Sequence, residues 1–162
     1  MNFSQITEDD FIENVNRINW KQFNGPEYYR PDEIITSLTN LVNLRSEDEK
    51  WNIYSDVLSA IGNDHAGTYY PVIIDILPLI IGLLKSSRHE PVRNCILEIL
   101  SEWYYSFVPE LGTFTTSNEK DLEDFVRGNI KQFITETKWN DSDRNMKLIS
   151  DFNDYFAEEA SA

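Results

Sequence analysis

The chain has little of what usually betrays a chemistry. A single cysteine among 162 residues cannot build a disulfide framework, and a chain of this length buries roughly 70% of its unfolded surface without such staples. That residue, Cys95, falls in the apolar spacing of a helix and reads as a buried, reduced thiol. The two histidines, His65 and His89, lie in different loops with no His-x-x-x-His or Cys-x-x-Cys spacing, so no metal site is expected. Glycine is scarce, at six residues, and forms no phosphate-cradling loop or nucleophile elbow. Acidic pairs are unavoidable among 28 acids and single out no acid–base couple. No catalytic residue and no cofactor is assigned on these grounds.

Positive charge is also short. Fourteen basic against 28 acidic side chains leave a formal charge of −14, which repels nucleic-acid phosphates and anionic membranes and attracts cationic partners. The longest apolar run, Tyr69 to Leu84, is interrupted by Asp75, Pro78 and Gly82 and falls short of the roughly 20 residues that span a bilayer. The N-terminal MNFSQITEDDFIENV has no basic start followed by an apolar core, so no secretory signal is expected and the expected location is cytoplasmic.

What is present is a repeat. Glu33 to Ile61 and Asp75 to Trp103 superpose at an offset of 42 positions, pairing apolar residues at ten places, from Ile34/Ile76 and Leu38/Ile80 to Val57/Ile99 and Ile61/Trp103. Acid falls on acid at Glu33/Asp75, Asp48/Glu90 and Asp56/Glu98, and Asn52/Asn94 and Ser59/Ser101 are identical. A period of this size made of two helices indicates an all-α helical-hairpin solenoid, a class that usually works by binding.

The remaining pattern gives one domain over 1–162, of about seven helices in three pairs plus an N-terminal helix. Residues 1–30 hold a helix from Thr7 to Ile18, capped by Thr7, and an aromatic connector whose Trp20, Phe23, Tyr28 and Tyr29 should cover the first hairpin. Hairpin 1 covers 31–62. Pro31 opens its first helix, a Ser46-x-x-Glu49 capping box opens its second, Trp51, Tyr54, Val57, Leu58 and Ile61 form the buried side, and Gly62-Asn63 ends it as a C-cap. Hairpin 2 covers 70–108, its first helix apolar nearly all round and therefore central. Hairpin 3 covers 119–157, with Asp141 as the cap of the last helix and AEEASA fraying after it.

The segment ILPLIIGLLKSSRHEPVRNCILEIL, Ile76 to Leu100, resembles a HEAT repeat, with Pro78 in the first helix and Val92-Arg93 opening the second. Asn19-Trp20, Gly25-Pro26, His65-x-Gly67-Thr68-x-Tyr70 and Pro78-Leu79 further resemble a group of bacterial HEAT-like proteins, over about residues 18 to 105. Proteins similar to these are often found beside secreted polymorphic toxins, and some act as their immunity proteins. HEAT repeats link neighbours through an aspartate in the turn and an arginine early in the second helix. Here Glu90 stands near the first position, Trp51 replaces the counterpart of Arg93, and the ladder is incomplete.

Second helices of such pairs line one face, and polar positions repeating there offer a surface to a partner. Asp56 and Glu98 are equivalent, and a looser alignment of the third pair adds Asp151. Together with Asp48, Glu49, Glu90, Glu102, Asp154, Asn52 and Asn94 they make an acidic stripe. It reads either as a docking surface for a cationic protein or as the solvated face of three amphipathic helices. The loop Asn63 to Tyr70, including His65, reads as an interface or as a fold device, the second being favoured. On the docking reading, the chain is a non-enzymatic monomer that forms a 1:1 complex with a cognate cationic toxin, a nuclease, and masks its active site. The alternative is a scaffold or adaptor subunit touching its assembly through the aromatic connector, and a third possibility is a lyase-like HEAT enzyme.

Overall fold

The computed structural model describes residues 4–22, 29–63, 67–109 and 119–162. Phe23, Gly25, Pro26, Tyr28, His65 and the loop 110–118 lie outside the described residues.

Among the described residues seven α-helices follow one another: α1 (Glu8–Arg17), α2 (Pro31–Val42), α3 (Lys50–Ile61), α4 (Ile73–Ser86), α5 (Glu90–Tyr105), α6 (Glu119–Glu136) and α7 (Asp143–Ser161). Local chemistry sets several starts. Thr7 Oγ1 accepts from the amide of Asp10 at 3.0 Å, with Glu8, Asp9 and Asp10 favourably placed against the α1 dipole. Pro31 takes the first position of α2, where its missing N–H is not needed.

The helices pack as three pairs, α2 with α3, α4 with α5 and α6 with α7, and the fold is all-α. One layer runs α3, α5, α7, with α5 in the middle. In the other, α4 packs on α6, and α1 rests on both α2 and α4. The core sits between the layers. Helix α4 is buried on nearly every side, from Ile73 and Ile76 to Leu83 and Leu84, as its all-round apolar sequence requires. The N-terminal segment crosses it at Gly82, whose carbonyl accepts from the Ile6 amide at 3.3 Å; a Cβ there would stand 2.8 Å from the Ser4 carbonyl oxygen. No helix among the described residues is long and apolar enough to cross a membrane.

Several local expectations are corrected. Ser46 does not cap α3 directly: its hydroxyl accepts from Asp48 at 3.3 Å over a 3-10 turn, Glu47–Glu49, and α3 begins at Lys50. Gly62 is not a left-handed cap. Its φ of −164° is extended, and it enters a small sheet of β1 (Gly62–Asn63), β2 (Thr68–Tyr69) and β3 (Val108–Pro109). Glycine is needed there because a Cβ would lie 2.1 Å from the Thr68 carbonyl oxygen. This sheet carries no period long enough to read from sequence. The last helix is capped by Ser142, which accepts from Asn145 at 3.2 Å, and not by Asp141. It continues to Ser161, where fraying was expected, helped by the bond from the Tyr104 hydroxyl to Glu159. Trp51, expected in the core, is 55% exposed, while Lys50 and Ile53 take the buried side of α3.

Candidate partner-binding face

The expected stripe along α3, α5 and α7 divides into two sets with different fates. Asn94 is fully buried between α5 and α7, where its amide donates to Asn145 Oδ1 at 2.9 Å. Asn145 in turn donates to Asp141 at 2.9 Å, and Asp141 receives Arg93 through Nε and Nη2, both at 2.7 Å. Burial alone would raise the Asp141 carboxyl, but hydrogen bonds from Arg93, Asn145 and the Ser142 amide, with the Arg93 charge, hold it below its ordinary value. Glu90 is likewise engaged, accepting from Arg144 Nη2 at 2.6 and 2.7 Å and from the Ser142 hydroxyl at 3.1 Å, while Arg144 also bonds Glu47. Asn94 and Glu90 therefore join the second and third pairs. Asn94 is excluded as a partner-binding residue by its burial, and Glu90 is neutralised within the chain.

The residues in these bonds also suggest a second alignment of the third pair by sequence. Arg93-Asn94 recurs as Arg144-Asn145, an offset of 51 that places Ile149, not Asp151, opposite Asp56 and Glu98. Arg93 and Asp141 form an ion pair between the second and third pairs. Glu102 accepts from the Tyr69 hydroxyl at 3.0 Å, which fixes the small sheet to α5, and Asp151 pairs with Lys147 at 2.7 Å. Neither is a free carboxylate.

Asp48, Glu49, Asn52 and Asp56 remain exposed on the first hairpin, with Asp154 on α7, and Glu98 is half-buried. None of the five carboxylates forms a salt bridge among the described residues. The first hairpin contributes more acids than the stripe anticipated. Its α2 helix brings Asp32 and Glu33 beside Asp56 around a 440 Å³ cleft also lined by Thr36, Ser37 and Ser59. A second depression of 320 Å³ lies between Asn40, Asn43, Glu49 and Asn52. The sequence signal for Asp32 and Glu33 was present, since the polar flank of α2 faces away from Ile34, Leu38 and Leu41. Their place on a first helix keeps Asp32 and Glu33 outside a stripe drawn along second helices alone.

Other candidates are absorbed by the fold. A cleft lined by Lys85, Arg93, Lys138, Phe133 and Trp139 is basic. It sits at the C-terminal ends of α4 and α6, where carbonyl dipoles favour cations, and Arg93 donates to the Leu84 and Ser87 carbonyls. Trp20 and Tyr29 of the connector are buried, Trp20 donating to the Val15 carbonyl and Tyr29 to the Trp20 carbonyl, each at 2.8 Å. Tyr69 and Tyr70 of the 63–70 loop are buried too. Burial pushes the Cys95 thiol up to about 12, with nearby Lys50 lowering it and Glu98 raising it, so it stays protonated and inert at neutral pH. Among the described residues no group of three or more His, Cys, Asp or Glu is placed to hold a metal ion.

No protein-family model, no curated protein and no solved structure matches this chain.

Proposed function

We propose that this chain is a non-enzymatic, HEAT-like binding module that neutralises a cationic protein toxin, a nuclease, in the cytoplasm, as a monomer in a 1:1 complex. The observation that carries the reading is the unneutralised acidity of the first hairpin. Asp32, Glu33 and Asp56 surround one cleft, Glu49 lines a second depression and Asp48 is exposed, whereas Glu90, Asp141 and Asp151 are already paired within the chain. Carboxylates so placed stand in for substrate phosphates on a basic active-site surface. The charge of −14 accelerates encounter, and a rigid helical stack rearranges little on binding. Occlusion requires no chemistry from this chain.

Of the aromatic connector, Trp20 and Tyr29 are buried and occupied, and these two residues lend the adaptor reading no support. The testing experiment is capture on the immobilised chain at low salt, elution with rising salt, and expression of the eluted protein alone and beside this chain. A basic protein retained in equimolar yield, toxic alone and harmless in company, is the expected result. An assembly that resists salt, or a captured protein that is not toxic, overturns the toxin reading.

A further inference from the structure

We infer that Trp51 is the anchor of the acidic face and receives an arginine side chain of the partner, an inference that rests on the partner being a basic protein. Trp51 is the most exposed large apolar side chain among the described residues, at 55%. Tryptophan is enriched among residues that dominate binding energies. Its place in the repeat explains its exposure. The offset of 42 in sequence aligns Trp51-Asn52 with Arg93-Asn94, and the Arg-Asn pair recurs at Arg144-Asn145. In the second and third pairs this position holds an arginine that ties one pair to another through Asp141 or through Glu90. In the first pair the same position makes no such tie and presents an indole to solvent.

Charge and ring chemistry select the occupant. The Lys50 ammonium already lies 4.1 Å from the Trp51 ring centroid, and Tyr54 meets the ring edge-on at 5.3 Å; with both in place the residue is still mostly open. Asp48 stands one turn before Trp51, and Asn52, Ser55 and Asp56 continue the same exposed strip of α3. An apolar occupant would have to desolvate the carboxylate of Asp48, at a cost. A cation with a flat, weakly hydrated head can lie on the indole and bond a carboxylate together, which describes guanidinium better than ammonium.

The test uses calorimetry on the full chain at low salt with two cationic peptides of equal length and charge, one built on arginine and one on lysine. The arginine peptide is expected to bind more tightly. Trp51→Ala should weaken it about thirtyfold, the loss typical of an anchor residue, and weaken the lysine peptide less, while Trp51→Phe recovers part of the loss. Because the side chain is exposed, the helical circular dichroism of both variants should match the parent. Equal affinities that ignore Trp51→Ala but vanish in Asp48→Lys/Asp56→Lys overturn the anchor and leave the acidic face standing. Trp51-dependent binding of an uncharged apolar peptide, or self-association dissolved by Trp51→Ala, assigns the site to another occupant and overturns the arginine. No binding of either cationic peptide overturns both the anchor and the cationic-partner reading.

Discussion

Asp141→Asn tests whether the third helix pair is held to the second by charge. The substitution preserves shape and an acceptor oxygen and removes the negative charge that receives Arg93 at 2.7 Å through two nitrogens. The two side chains are 5% and 19% exposed, so the pair lies near the buried end of a scale. At its surface end an ion pair contributes at most about 1 kcal/mol, and at its buried end the loss of one partner costs about 3–5 kcal/mol. We expect a loss of about 3 kcal/mol near neutral pH, which for a chain of this size lowers the melting midpoint by about 6–12 °C. The pH dependence gives a second signature. The folded Asp141 pKa is lowered, because its hydrogen bonds and the Arg93 charge outweigh burial. The unfolded state therefore takes up a proton first as pH falls, and the stabilisation present above the ordinary aspartate range is lost as pH drops through the depressed folded value. The gap between parent and variant in urea unfolding should be constant at neutral pH and close in acid. A gap below about 0.5 kcal/mol, the size of an ordinary surface change, or one that does not close in acid, would refute the assignment of Arg93–Asp141 as the tie.

Other expectations are simpler to check. Asp56→Lys with Glu98→Lys should weaken a captured partner by several powers of ten in salt-dependent titrations and leave the helical circular dichroism unchanged; unaltered affinity would remove these residues from the interface. Gly62→Ala forces a Cβ to within 2.1 Å of the Thr68 carbonyl, and thermal melts should show a loss of about 1–3 kcal/mol from overpacking. The Cys95 thiol, pushed up to about 12 mainly by burial, should resist a thiol reagent at mildly alkaline pH in the folded chain and react at once in denaturant; rapid native labelling would contradict its burial.

Much of the fold was legible because it is periodic or local. The apolar spacing gave all seven helices, Thr7 and Pro31 marked true starts, and the all-round apolar run of α4 identified a central helix. Misreadings fell where a neighbour distant in sequence decides. Ser46 and Gly62 carry the residue types of caps, yet one serves a 3-10 turn and the other a strand pair closed by Thr68.

The candidate face shows the same division more sharply. Asn52 and Asn94 are identical in the repeat, and nothing local distinguishes them. Helix α5 is covered on both sides by α3 and α7, which buries Asn94 against Asn145, whereas α3 ends its layer and leaves Asn52 in water. Trp51 and Arg93 differ in chemistry but share a position, and only the packing shows that the arginine is tied inward and the tryptophan is left outside. The sequence by itself determined charge, helical period and the existence of a repeat, because those depend on residues within a few turns of one another. Which acids stay free depended on cations far along the chain, Arg93 for Asp141 and Arg144 for Glu47 and Glu90. Only the tertiary structure could place those charges together, since ion pairing depends on distance in space and not on separation in sequence.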